Sequence, residues 1–277
     1  MEDVCIYGNP TLDYIVLEDG SRKIGYGGGV YYSSLPFQRE GRYRLNVYAV
    51  YSPKIHNHPV YKAVNKLQYS STATIFKLVY RGSSRTLYLE ERAPPLYPWN
   101  IHEGLCISIV NPVFHEVTEA NLAMIKVRSQ LLAGDMQGFV RSLDNGRVVY
   151  SCSTRALHLL RYFDVVHMDV DELKAATCVW DELRALEKLL NIVRGTRVVV
   201  TGRLKPIHVV DHGSLESINI DDSPLVSDKT GAGDYFLGTL LVNMLSHEDF
   251  TKAVEKAHDE TTKWLIERNA SSPPTTL

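Results

Sequence analysis

Short apolar runs alternate with amphipathic stretches along most of this chain, and that alternation restricts its fold more than any other feature. The runs are Val4 to Gly8, Leu45 to Tyr51, Leu105 to Val110, Gln130 to Gly134, Asp164 to Met168 and Arg197 to Val200. Each reads as a strand buried on both faces. Between them the spacing predicts helices over Pro59 to Leu67, Glu116 to Arg128, Trp180 to Val193, Asp234 to Leu245 and Phe250 to Arg268. Strand and helix in turn give an α/β architecture, a mostly parallel central sheet covered on both faces in three α/β/α layers. One region departs from the rule: Thr72 to Tyr80 and Thr86 to Arg92 alternate in polarity around Arg81-Gly82-Ser83-Ser84, which predicts a hairpin. Tyr14 through Asp19-Gly20 to Ile24 forms a second extended excursion, so that about 14–26 and 72–92 together make a small antiparallel β lid.

With 277 residues the chain is at the upper size for one core, so 1–277 reads as one domain, with 270–277 a Ser/Pro/Thr-rich frayed tail. Charge is balanced, with 30 Lys+Arg against 32 Asp+Glu and a net charge of -2, which gives no electrostatic case for a nucleic-acid or membrane partner. No run reaches a membrane span, and Met-Glu-Asp-Val-Cys lacks a secretory layout, so a cytoplasmic protein is expected. Cys5, Cys106, Cys152 and Cys178 stand far apart without a Cys-x-x-Cys pair; they read as buried small hydrophobes, neither a zinc site nor a disulfide framework. His56-Asn57-His58 reads as a polar loop, because no third metal ligand stands at a telling distance.

The chemistry concentrates in Asp228-Lys229-Thr230-Gly231-Ala232-Gly233-Asp234, which runs straight into the apolar Tyr235 to Val242. Small residues end where a helix begins, so the amides of Gly231, Ala232 and Gly233 lie where unpaired N–H groups and the helix dipole favour an anion. A carboxylate there would repel a phosphate, and its chemical use is to take a proton: Asp234 is the candidate general base for a substrate hydroxyl attacking a terminal phosphorus. Taken alone, the same residues read as a tight turn with an ordinary N-cap.

This segment resembles the signature of the PfkB, or ribokinase-like, carbohydrate kinases, Asp-Thr-x-Gly-Ala-Gly-Asp before an aromatic, apolar helix, with Lys229 where that family carries Thr. The resemblance implies a ribokinase-like fold and transfer of the terminal phosphoryl group of ATP, with magnesium, to an alcohol. Gly8-Asn9-Pro10-Thr11-Leu12-Asp13 is similar to the family's first strand and makes Asp13 a ligand of substrate hydroxyls. Gly27-Gly28-Gly29-Val30-Tyr31-Tyr32 resembles its Gly-Gly element, so Gly28, Gly29 and Tyr32 join the substrate side; a glycine at Val30 would be needed for a dinucleotide fingerprint. Met168-Asp169-Val170-Asp171-Glu172 is similar to the family's Asn-x-x-Glu element, which implies that Asp169 and Glu172 serve magnesium through water. Gly134 to Arg141 looks like a segment of the myo-inositol kinase branch and puts Gln137 and Arg141 near substrate oxygens, while Thr201, Gly202, Asp228 and Thr230 fall on the nucleotide side.

The acceptor implied is a sugar or polyol, myo-inositol-like by that last cue. A nucleoside kinase is the first rival, since Tyr31 and Tyr32 could stack a base or equally be core residues of a helix. A nucleotide-binding regulator without turnover is the second, against which Asp234 speaks. An exposed lid edge could pair with a second copy to give a homodimer.

Overall fold

The structure is a computed structural model that describes residues 1–81, 84–202, 206–220, 226, 228–246 and 249–271. In chain order the strands are β1 (Glu2–Tyr7), β2 (Thr11–Val16), β3 (Arg22–Gly27), β4 (Tyr43–Tyr51), β5 (Val64–Tyr69), β6 (Thr74–Arg81), β7 (Ser84–Glu91), β8 (Cys106–Val110), β9 (Ser129–Asp135), β10 (Arg141–Asp144), β11 (Arg147–Tyr150), β12 (Val165–Asp169), β13 (Arg197–Thr201), β14 (Ile207–Asp211) and β15 (Ser214–Ile218). The helices are α1 (Gly29–Glu40), α2 (Glu119–Val127), α3 (Gln137–Val140), α4 (Thr154–Leu159), α5 (Val170–Thr177), α6 (Glu182–Ile192), α7 (Ala232–Leu245) and α8 (Phe250–Ser271).

Among the described residues, nine strands form the large sheet in the order β15-β14-β13-β12-β9-β8-β1-β4-β5. It is parallel from β13 to β5, and β14 and β15 add an antiparallel edge. Period-two alternation explains its two cores: Cys5, Tyr7, Val110, Val198 and Val200 pack on one face with Leu122, Leu173 and Leu186, whereas Val4, Ile6, Ile107, Ile109 and Val199 pack on the other with Phe37, Phe236, Leu240 and Ala253. Helices α2, α5 and α6 therefore cover one face, and α1, α7 and α8 the other. Each large side chain so buried contributes about 1.5–3 kcal/mol.

A second sheet, ordered β10-β11-β7-β6-β2-β3, lies against the carboxyl end of the first through Phe76, Leu78, Val113 and Phe114. Two of its hairpins correspond to the expected excursions, β2–β3 and β6–β7. They join each other through a parallel pairing of β2 with β6, and β10 and β11 extend the sheet. The β10–β11 turn is Asn145-Gly146, with φ of 48° and 81°, the left-handed pair that closes a two-residue hairpin. Gly82 and Ser83, in the predicted β6–β7 turn, lie outside the described residues.

Three expectations need correction. Pro59 to Leu67 is not one helix: a single 3₁₀ segment, Pro59–Ala63, leads into edge strand β5. Ala270 and Ser271 continue α8 rather than fraying, while 272–277 lie outside the described residues. The four cysteines are paired, Cys5 with Cys106 and Cys152 with Cys178. The first pair links neighbouring strands β1 and β8 and the second joins the approach to α4 with the C-cap of α5, proximities that separations of 101 and 26 residues conceal in sequence.

Candidate active site

Polar residues terminate the buried strands on one edge of the large sheet: Asn9 just beyond β1, Asn111 just beyond β8, Asp135 ending β9, Asp169 ending β12 and Thr201 ending β13. Helix α7 starts on the same edge. Its N-cap, Gly231, takes φ 78°, and a Cβ there would fall 2.3 Å from the Tyr32 ring, so both backbone and space demand glycine. The Ala232 amide turns back to the Lys229 carbonyl at 3.2 Å. Gly233 and Asp234 follow in the first turn, where intrahelical acceptors run out.

Asp234 is buried, and Gln137 Nε2 donates to its Oδ1 at 2.8 Å. Burial first, and then the Asp135 charge, push its carboxyl up to about 6, against the pull of Asn111, Arg141 and His167. Asp13 faces the same cavity from β2; Thr11 Oγ1 donates to its Oδ1 at 2.9 Å, and burial raises its carboxyl to about 6 as well. Gly28 and Gly29 carry the chain from β3 into α1, where a side chain at 29 would strike Asn111 Oδ1 at 2.2 Å. His58 secures this crossing, with Nε2 2.9 Å from the Gly27 carbonyl and Nδ1 accepting from Val60 N.

The cavity thus brings together Asp13, Gly28, Gly29, Tyr32, Gln137, Arg141, Thr230, Gly231 and Asp234. Its remaining wall comes from the second sheet and β8 loop, as Phe76, Leu78, Arg85, Leu87 and Val113. Gln137 and Arg141 also serve the protein itself: Gln137 holds the Asp234 carboxyl, and Arg141 Nη1 donates to the Val113 carbonyl at 2.9 Å.

Thr201, Gly202, Asp169 and Glu172 lie at the carboxyl ends of β12 and β13 rather than in that wall. Asp169 and Glu172 form a reciprocal capping box: Glu172 N donates to Asp169 Oδ1 at 2.7 Å and Asp169 N to Glu172 Oε2 at 2.8 Å. Burial raises both carboxyls, Glu172 well above its usual range, and each charge opposes the ionisation of its neighbours. Asp228 caps the turn before the glycines by accepting from Thr230 N at 2.9 Å and pairs with Arg268 at 3.1 Å. Arg268 also donates to the Thr230 carbonyl at 2.6 Å, and Arg85 reaches the Thr230 hydroxyl at 3.4 Å from the second sheet.

Sequence reasoning passed over Asn111, Asp135, His167 and Arg85. The first three shared one usable signal, a polar residue inside or at the end of an apolar strand; Arg85 had none, because the pairing of the second sheet brings it in. At the opposite, amino-terminal end of the large sheet, a cleft holds Cys5, His102 and Cys106, whose ligand atoms lie within 4.8 Å of one another. The two sulfurs are joined and His102 is hydrogen-bonded to Tyr7 and the Arg128 carbonyl, so these groups are engaged within the protein.

No protein-family model and no curated protein sequence matches the chain, whereas solved structures do. A pyrophosphate-dependent kinase in the ribokinase family, solved as a sulfate complex, superposes with a TM-score of 0.81 at 21% identity over 95% of both chains. A pyrophosphate-dependent kinase of that family complexed with a pyrophosphate analog and myo-inositol gives 0.79 at 21% identity, again over 95% of both. Adenosine kinase from Schistosoma mansoni gives 0.75 at 12% identity over 98% of this chain and 97% of its own. The chain has the ribokinase-like α/β fold. Its second sheet, lying over the carboxyl edge of the first, is part of that likeness.

Proposed function

We propose that the protein transfers a phosphoryl group to a hydroxyl of a sugar or polyol, with a ring polyol of the myo-inositol kind as acceptor. The observation that carries this is the position of Asp234, buried at the start of α7, held by Gln137, and opening into the same cavity as Asp13. Asp13 grips the acceptor and Asp234 receives the hydroxyl proton. The acceptor oxygen then bonds to the terminal phosphorus as the bridging O–P bond of the donor breaks. Gly231 and Gly233 amides, with Arg85 and Arg141, stabilise the charge on the transferring group.

A divalent cation fits this carboxyl pair: Asp169, partly exposed, and Glu172, buried, are hard oxygen donors, and the crowding that raises Glu172 is what a nearby cation would relieve. Magnesium, when bound, would supply neutralisation of donor phosphates. Thr201, Gly202, Asp228 and Thr230 border the donor in this reading.

The acceptor wall supports a ring polyol, because hydroxyl-binding Asp13, Asp234 and Arg141 oppose the apolar Phe76, Leu78 and Leu87, which suit the C–H face of a ring. Leu78 and Leu87 are register partners on β6 and β7. Another similar structure, with a TM-score of 0.79 at 22% identity, is a pyrophosphate-dependent myo-inositol-1 kinase converted into a myo-inositol-3 kinase by exchanging an asparagine and a serine for leucines.

ATP is the donor that the family resemblance implies; similarity to pyrophosphate-dependent kinases favours inorganic pyrophosphate as a second reading. An acceptor panel of sugars, inositols and nucleosides, run with each donor and magnesium, tests these readings by detection of ADP or orthophosphate and mapping of the product phosphate. Phosphorylation of nucleosides in preference to polyols would overturn the acceptor, and no product with either donor would overturn the kinase.

A further inference from the structure

We propose that His167 is a positioning residue for phosphoryl transfer, the centre of a buried hydrogen-bond chain that ties the donor-side hydroxyl of Thr201 to the base Asp234. The inference rests on the reading of Asp234 as base and of Thr201 as a donor neighbour. The chain is continuous. Thr201 Oγ1 lies 3.0 Å from His167 Nε2, and His167 Nδ1 lies 2.7 Å from Asp135 Oδ2. Asp135 Oδ1 accepts from Gln137 N at 2.8 Å, and Gln137 Nε2 donates to Asp234 Oδ1 at 2.8 Å. It crosses the carboxyl ends of β13, β12 and β9 and finishes in the first turn of α7. His167 and Asp135 are each 3% exposed, so solvent is kept from the bond between them at the centre of the chain.

The same imidazole underlies the anion site. A Cβ at Gly233 would meet His167 Cε1 at 2.8 Å, and the ring centroid lies 5.3 Å from that of Phe236. Histidine suits this place because its two ring nitrogens point to different neighbours, whereas an amide carries both polar atoms on one carbon. One side chain therefore sets the height of the Gly233 amide, the rotamer of Thr201 and, through Asp135 and Gln137, the aim of Asp234. Misplacement of reacting groups by about 1 Å is worth about 100-fold in rate.

The test uses the full chain and four variants: His167→Phe, which keeps a ring beneath Gly233 but deletes both bonds, Thr201→Val, Thr201→Ser, and the double variant of the first two. Steady-state rates with the donor and acceptor found active are combined with calorimetric binding of magnesium pyrophosphate and magnesium ATP, which needs no turnover. His167→Phe is expected to lower kcat about 10- to 100-fold and raise the donor KM several-fold, with the acceptor KM within about twofold. Thr201→Val should lose less and Thr201→Ser should recover wild-type donor affinity. The double variant should be no worse than His167→Phe within about threefold, since groups acting through one chain are not additive. The proposal is overturned if His167→Phe leaves kcat and donor affinity within about twofold of wild type, or if the two losses multiply. Should His167→Phe fail to fold, Thr201→Val and Asp135→Asn, singly and combined, probe both sides of His167 by the same criterion. A wild-type chain inactive with every acceptor would overturn the kinase reading, and the donor-binding cycle would still decide the chain.

Discussion

Burial puts the carboxyls of Asp13 and Asp234 at about 6, in a cavity that also holds Arg85 and Arg141. A base must be ionised to accept a proton, so kcat is expected to rise with pH through about 6 and then level off; a flat profile from pH 5 to 8 would contradict Asp234 as base. Asp234→Asn should lower kcat about 10² to 10⁴-fold. Stability follows the opposite course. The folded value of each group lies above the unfolded 3.8, so the native state binds protons more tightly between the two values. The stability this contributes is present below about 4 and is lost as pH rises through about 6. Asp234→Asn should therefore raise stability at pH 7 by an amount on the order of 2 to 3 kcal/mol while lowering turnover, the gain being read by calorimetry at pH 5 and 7. Asp234 was legible in sequence because glycines and an abrupt change from small to apolar residues flank it, and Asp13 was legible only through the resemblance of Gly8 to Asp13 to a known first strand. His167 was not, since one polar residue in Val165-Val166-His167-Met168 reads as part of a buried strand, and its partners Asp135 and Thr201 stand 32 and 34 residues away.

Among elements, the start of α7 tolerates least. Gly233→Ala would press a methyl onto His167, and the expected result is a loss of about 10² in kcat with CD and Tm near wild type, because the strain falls on a local turn. The second sheet lends Leu78 and Leu87 to the cavity wall, and in the proposed reading they set which acceptor hydroxyl faces Asp234. Leu78→Asn with Leu87→Ser should redistribute the phosphate among acceptor hydroxyls, measured by NMR of the product; an unchanged regioisomer at unchanged acceptor KM would exclude that role. The large parallel sheet was readable from alternation alone, since each of its central strands is a run buried on both faces. The edges were not: β5 followed a 3₁₀ turn that mimicked helical spacing, and the short β10 and β11 carry half-exposed residues with little apolar contrast. Their Asn145-Gly146 turn was the available clue, and His212-Gly213 between β14 and β15, with φ of 46° and 81°, is the same clue on the other sheet.

At the scale of the whole molecule, two covalent links bear on the expectation of a cytoplasmic protein. Disulfides persist in oxidising compartments and, as an exception, inside hyperthermophilic cells, so their redox state in the cell distinguishes these settings. Both links lie outside the lining of the candidate site: Cys5 and Cys106 join strands near the amino-terminal end of the sheet, and Cys152 and Cys178 clamp α5. Reduction should thus act on stability far more than on turnover. In the chain-entropy account, a loop of 101 residues corresponds to about 4.7 kcal/mol and one of 26 residues to about 3.5 kcal/mol. With about 2–4 °C of Tm per kcal/mol at this size, full reduction should lower Tm by on the order of 15–30 °C, the Cys5–Cys106 link giving the larger share. Calorimetry with and without a phosphine reductant, beside the variants Cys5→Ser and Cys152→Ser, separates the two contributions, and mass spectrometry after alkylation counts the thiols. Four alkylated cysteines without reductant, at an unchanged Tm, would show that neither link forms. Activity at a temperature well below both transitions should stay within about twofold, because the links restrict the unfolded chain and touch none of the groups that line the cavity.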